Sequence, residues 1–225
     1  MAPNLRPLAL LAATGLLASC TRAPSETFSG NGFRDSRVVI ISDTSEIETK
    51  DVSPRFRGVP FVRPGETPAP ALRAATGREL TAWGAGCGSR FQPKAGSFDV
   101  RMGLVRQADG WNVGNAIVMR NYVRATQTDY LVVVNKVLVS RNEIDRAGAG
   151  QQGKLAQVEA TLDISVIDAA AGKRVWRSQT QARAERVDSL EILARDAIRQ
   201  AADNFFTSLP EARRWGCPEV LDRFH

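Results

Sequence analysis

The sequence predicts an α/β (α+β) domain: a mixed sheet of about five strands with helices mainly on one face. Three observations predict it. Two β-branched apolar runs, at residues 36–42 and 128–139, have the length and composition of buried strands. Residues 157–168 alternate, with Val158, Ala160, Leu162, Ile164 and Val166 on one side and polar residues on the other, the period of a strand with one wet face. Residues 188–209 carry Leu190, Leu193, Ala194, Ala197, Ile198, Ala201 and Phe205 on one stripe, the spacing of an amphipathic helix.

The elements follow in order. Ser36-Arg-Val-Val-Ile-Ile-Ser42 reads as a buried first strand. Residues 43–66 hold charges and the prolines Pro54, Pro60 and Pro64, and read as a long exposed connection. Residues 67–83 place Leu72, Ala75, Leu80 and Trp83 on a helix despite Gly77. Residues 98–105 alternate loosely as a second strand, and residues 115–125 read as a helix with Ile117, Met119 and Val123. The run 128–139 is apolar on both faces over its first half, which predicts a central strand. Residues 141–153 are polar and glycine-containing and read as a mobile loop. After the alternating strand, a turn at 169–173 with Gly172 returns the chain as the partner strand 174–180 of a hairpin. Asp188 or Ser189 can cap the last helix, and Pro210 ends it.

At the start, Pro7 to Leu17 is apolar but too short for a hydrocarbon core about 30 Å thick. Behind Arg6 it has the length of a signal-peptide apolar region. Leu17-Ala18-Ser19-Cys20 resembles the lipobox of bacterial lipoproteins. That resemblance implies a signal peptide over residues 1–19 and lipidation of Cys20, with a diacylglycerol and acyl (palmitate-type) chains as a membrane anchor. Two acyl chains meet the two-signal requirement for stable anchoring. A plain signal peptide cut near Ala18 is the alternative. Residues 20–35, polar and rich in Ser, Gly and Pro, read as a flexible tether, and 36–225 as a single α/β domain. Thr21 is not the Asp that retains enteric lipoproteins at the inner membrane. The expectation is therefore an outer-membrane anchor facing the periplasm, with the inner membrane as the alternative.

The formal net charge is +6 over 225 residues, with the arginines scattered rather than clustered. A basic surface favours anionic partners, but export argues against nucleic acid. In an oxidising periplasm the remaining cysteines, Cys87 and Cys217, are expected to form a disulfide. Each sits near a Trp in a glycine-containing segment.

The stretch Thr128-Asp-Tyr-Leu-Val-Val-Val, then Val158 to Asp168, then Ala171-Gly-Lys-Arg-Val-Trp-Arg-Ser178, resembles a group of bacterial envelope proteins. The group includes the curli-secretion lipoproteins, the lipoprotein activators of penicillin-binding proteins and the amino-terminal domain of the Tol translocation protein. Thr128 stands where the group has Ala, and Ala171 where it has Thr. The resemblance implies an α/β sandwich that acts by protein contacts.

Signatures of catalysis are missing. The chain has no Gly-x-Ser-x-Gly elbow, no His-Glu-x-x-His and no complete phosphate loop, since no Lys-Ser or Lys-Thr follows the glycines of residues 84–88. Its single His is the terminal His225. We therefore expect no enzyme activity, no cofactor and no metal. The candidate partner surface is the polar side of the alternating strand, Glu159, Thr161, Asp163 and Ser165. Two functions fit: a lipoprotein docking on an envelope protein or on peptidoglycan, or a small-ligand- or glycan-binding lipoprotein supporting a transporter. An aromatic-lined pocket would favour the second.

Overall fold

Strand β1 (Arg37–Ile41) lies parallel to the long strand β6 (Tyr130–Asp145), pairing Val38 with Tyr130 and Ile41 with Val133. The structure, a computed structural model, describes Phe33 and residues 36–86, 90–93, 103–145, 154–186 and 190–209. Farther along the same edge of β6 runs β2 (Glu46–Asp51), also parallel. With β3 (Arg90–Pro93), β7 (Lys154–Asp168) and β8 (Lys173–Arg186), six strands fill five sheet positions in the order β3-β1-β6-β7-β8. β3 is parallel to β1, whereas β7 is antiparallel to both β6 and β8, so the sheet is mixed as predicted.

Helices α1 (Pro68–Gly86) and α3 (Leu190–Ser208) cover one face. There Val132, Val134, Leu162 and Ile164 of the sheet meet Leu193, Ile198, Phe205 and Phe206, all buried. Each such side chain contributes about 1.5–3 kcal/mol on burial. Among the described residues the opposite face is covered only at one end. Helix α2 (Ala116–Thr126) and the hairpin of β4 (Leu104–Gln107) and β5 (Gly110–Val113) pack a smaller core there, with Met119 and Tyr122 against Leu131, Val133 and Ile167.

Local chemistry explains the ends of these elements. Asn115 caps α2, its side-chain oxygen accepting from the amides of Ile117 and Val118 at 3.1 Å. Gln127 closes the helix in the left-handed region at φ 53°. The β7–β8 turn holds the Ala171 amide on the Asp168 carboxylate at 2.8 Å and places Gly172 at φ +63°.

Two sequence expectations are corrected. Residues 43–66 are not one exposed connection: they contain β2 and a 3-10 turn at Pro54–Phe56. Residues 141–145, read as the start of a loop, continue β6. The side chain of Arg141 joins the two segments. It is 1% exposed and ion-paired to Asp51 at 2.7 Å. It also donates to the carbonyls of Phe56, Val59 and Pro60. A polar residue expected at the surface thus ties the 52–61 segment to the sheet. Phe33, near the end of the segment read as a tether, is 2% exposed and packs edge-on against Tyr130 and Phe206. Residues 104–105, the end of the expected second strand, fall in β4, but its pairing with β5 has no counterpart in the sequence reading; residues 98–102 lie outside the described residues.

Candidate interaction face

Beyond the α2–hairpin cover, the second face of the sheet carries rows of polar side chains. β7 contributes Glu159, Thr161, Asp163 and Ser165, the four residues singled out from the sequence, and they share one side of the strand because β side chains alternate. They are not equally available. Ser165 is fully buried and Thr161 is 8% exposed, so the open part of this row is Glu159 and Asp163.

Both carboxylates are paired across the β7–β8 ladder. Arg177 donates to Asp163 through Nε at 3.0 Å and Nη2 at 2.6 Å, a two-pronged contact. Arg183 donates to Glu159 at 2.6 Å, directly opposite it in the register. The β2 side repeats the pattern: Arg106 of the hairpin pairs with Glu46, and Lys136 with Glu48. The Lys136 hydrogen bond holds the Glu48 carboxyl below its ordinary pKa, and the same contact raises the lysine. Arg174 of β8 bonds Asp109 of the hairpin at 2.6 Å and lowers that carboxyl in the same way. The result is a mosaic of alternating signs.

One polar knot fixes where the cover ends. β6 has a bulge between Val134 and Lys136, and its extra residue, Asn135, is 3% exposed. Its amide nitrogen donates to Asp163 at 2.9 Å and to Ser165 at 3.0 Å, and its oxygen accepts from the Trp111 amide at 3.0 Å. Gly110, at φ +106°, lies against it; a Cβ there would sit 2.9 Å from the Asn135 oxygen. Asp163 is thus held by the bulge on one side and by Arg177 on the other. Sequence reasoning found the β7 row through its alternation. It missed β2 and the hairpin, although Asp109-Gly110 is a hairpin signal.

Cys20, Cys87 and Cys217 lie outside the described residues. Among the described residues no group of three His, Cys, Asp or Glu is placed to hold a metal, and no helix is long and apolar enough to cross a membrane.

No family model and no curated protein matches the chain. Among solved structures it is similar to the PelC dodecamer from Paraburkholderia phytofirmans, at 12% identity over 75% of this chain and 86% of that one, TM-score 0.32. The minor lipoprotein from Acinetobacter baumannii matches at 9% identity over 84% and 95%, TM-score 0.36. The LpoB C-terminal domain from Salmonella enterica matches at 10% over 67% and 84%, TM-score 0.31. At these scores the likenesses assign neither partner nor activity to this chain.

Proposed function

We propose that this is a lipid-anchored envelope protein without catalytic activity, whose domain faces the periplasm and docks on an envelope protein through the open polar face of its sheet. The observation that carries the reading is the mosaic itself. Four ion pairs of mixed sign, Arg106–Glu46, Lys136–Glu48, Arg177–Asp163 and Arg183–Glu159, stand on a rigid sheet beside a hairpin wall. A uniformly basic patch would suit an acidic polymer such as the cell wall. Interspersed charges suit a protein surface of complementary pattern, where they set register and exclude wrong partners. The apolar counterpart on this face is Leu138, half-buried between the charged rows. The glycan-binding alternative is less well supported: Phe33, Trp83, Tyr130, Phe205 and Phe206 pack on one another or in the core rather than lining a cleft.

The test is capture from solubilised membranes with the lipid retained. Replacing Glu48 and Glu159 together by Lys reverses the carboxylates beside Lys136 and Arg183 and leaves Asp163 on Asn135 and Arg177. The bound partner should fall at least tenfold while the circular dichroism spectrum stays that of the parent. Undiminished capture would remove this face from consideration, and turnover of a cell-wall or lipid substrate by the purified protein would overturn the non-enzymatic reading.

A further inference from the structure

Strand β8 pairs with β7 on one side, and among the described residues no strand pairs with its outer side. Exposed strand edges are ready templates for another strand, and proteins usually protect them with bulges, prolines or short length. β8 is 14 residues long. Its irregularity lies between Val166 and Ile167 of the β7 ladder, before Arg177, so the ladder from Arg177 to Glu185 runs without a break. No Pro or Gly interrupts that stretch. Its core-facing side chains, Thr180, Ala182 and Ala184, are buried, while Arg177, Gln179, Gln181, Arg183 and Glu185 are exposed on the polar face.

We propose that this edge joins a second copy of the chain, β8 against β8, antiparallel, with the two-fold axis at Gln181. Charge complementarity selects the partner and the register. With Gln181 opposite itself, Arg177 meets Glu185 of the second copy twice and Gln179 meets Arg183 twice, using the whole regular stretch. An axis one residue earlier sets Arg177 opposite Arg183, a like-charge pair. One residue later, Glu185 meets Gln179 and both ion pairs are lost. The groups involved have capacity left. Arg177 uses Nε and Nη2 on Asp163, leaving Nη1 for a second carboxylate. Glu185 accepts from Gln157 through one oxygen, leaving the other. Asn204 of α3 donates to the Gln181 carbonyl at 2.9 Å, which leaves that oxygen one lone pair. Pairing in this way joins the two sheets into one and carries both polar faces onto the same side. The inference does not depend on the docking partner proposed above.

The test uses the full chain purified in detergent, with cysteine at Gln181 or at Gln179. Directly opposed cross-strand residues have Cβ atoms about 4.5–5.5 Å apart, so Gln181→Cys should form a disulfide with itself under mild oxidation, at least fivefold above the parent chain on a non-reducing gel. In this register the two copies of residue 179 lie four residues apart along the strands, about 13 Å, so Gln179→Cys should stay at the parent level. Glu185→Arg should raise the concentration at half-dimerisation roughly tenfold by sedimentation. A parent chain that sediments as a monomer at all concentrations overturns the proposal. So does a Gln181→Cys chain that cross-links no more than the parent, or a Gln179→Cys chain that cross-links equally well.

Discussion

The Arg141 guanidinium lies 3.6 Å from the centroid of the Phe61 ring, a cation–π contact made inside the fold. The same group bonds Asp51 and three backbone carbonyls of the 56–60 segment. One side chain therefore satisfies the polar groups of a non-repetitive segment that could not otherwise sit against a sheet.

Arg141→Ala should cost about 3–5 kcal/mol, the usual consequence of leaving the rest of a buried ionic cluster unpaired. Urea denaturation monitored by circular dichroism measures it. Arg141→Lys should recover less than half, because an ammonium lacks the planar fork that reaches several acceptors while stacking on a ring. Full recovery by Lys would show that charge alone matters.

Phe33 is buried against Tyr130 and Phe206, and Phe206 also stacks on Trp83 at 3.8 Å. Phe33→Ala should destabilise by about 3–5 kcal/mol, seen as a lowered thermal midpoint. A chain beginning at residue 36 should be destabilised to a similar extent, whereas one beginning at residue 31 should match the parent.

The legibility of the chain divides along burial. β1, β7, α2 and α3 are readable because their buried residues are apolar and periodic, as in the Val158–Val166 alternation. β2 is not: its sequence is EIETKD, and only Ile47 of it joins the main core, since three of its residues face the polar side. The far half of β6 is hidden for the same reason. Ser140, Arg141, Asn142 and Glu143 look like loop, and Arg141 among them is buried through hydrogen bonds rather than apolar contact. Of the candidate face, the β7 row is visible in the sequence. The Arg177 and Arg183 partners require the β8 register, and the Asn135 bulge has no sequence signature.

Gly110→Ala places a Cβ 2.9 Å from the Asn135 oxygen at a backbone angle of φ +106°. Strain of this kind costs of order 1–3 kcal/mol. It should also loosen the hairpin, so amide exchange at Trp111, whose N–H is held by Asn135, should accelerate. Unchanged exchange would show that the Asn135 contact does not hold the hairpin.

Stability should fall on acidification. The Glu48, Asp109 and Glu143 carboxyls lie below their ordinary pKa values, held first by hydrogen bonds from Lys136, Arg174 and Arg55 respectively. Groups depressed in the folded state stabilise it above their unfolded pKa, about 4, and that contribution is lost as pH falls through the lower folded values. Thermal midpoints should therefore be level from about pH 5 to 7 with respect to these groups and drop below about pH 4. Moderate salt should shrink the drop, since the pairs are exposed. A midpoint that rises on acidification would contradict the assignment.

If the open polar face of the sheet is the docking surface, site-specific photo-cross-linking in living cells should find the partner there. A photoreactive residue at Lys50, exposed on the polar face, is compared with one at Arg199, exposed on α3. A discrete adduct with another envelope protein should form from position 50 and be abolished by the Glu48→Lys, Glu159→Lys pair, with no such adduct from position 199. An adduct from position 199 alone, or one from position 50 that survives the double substitution, would contradict docking through this face.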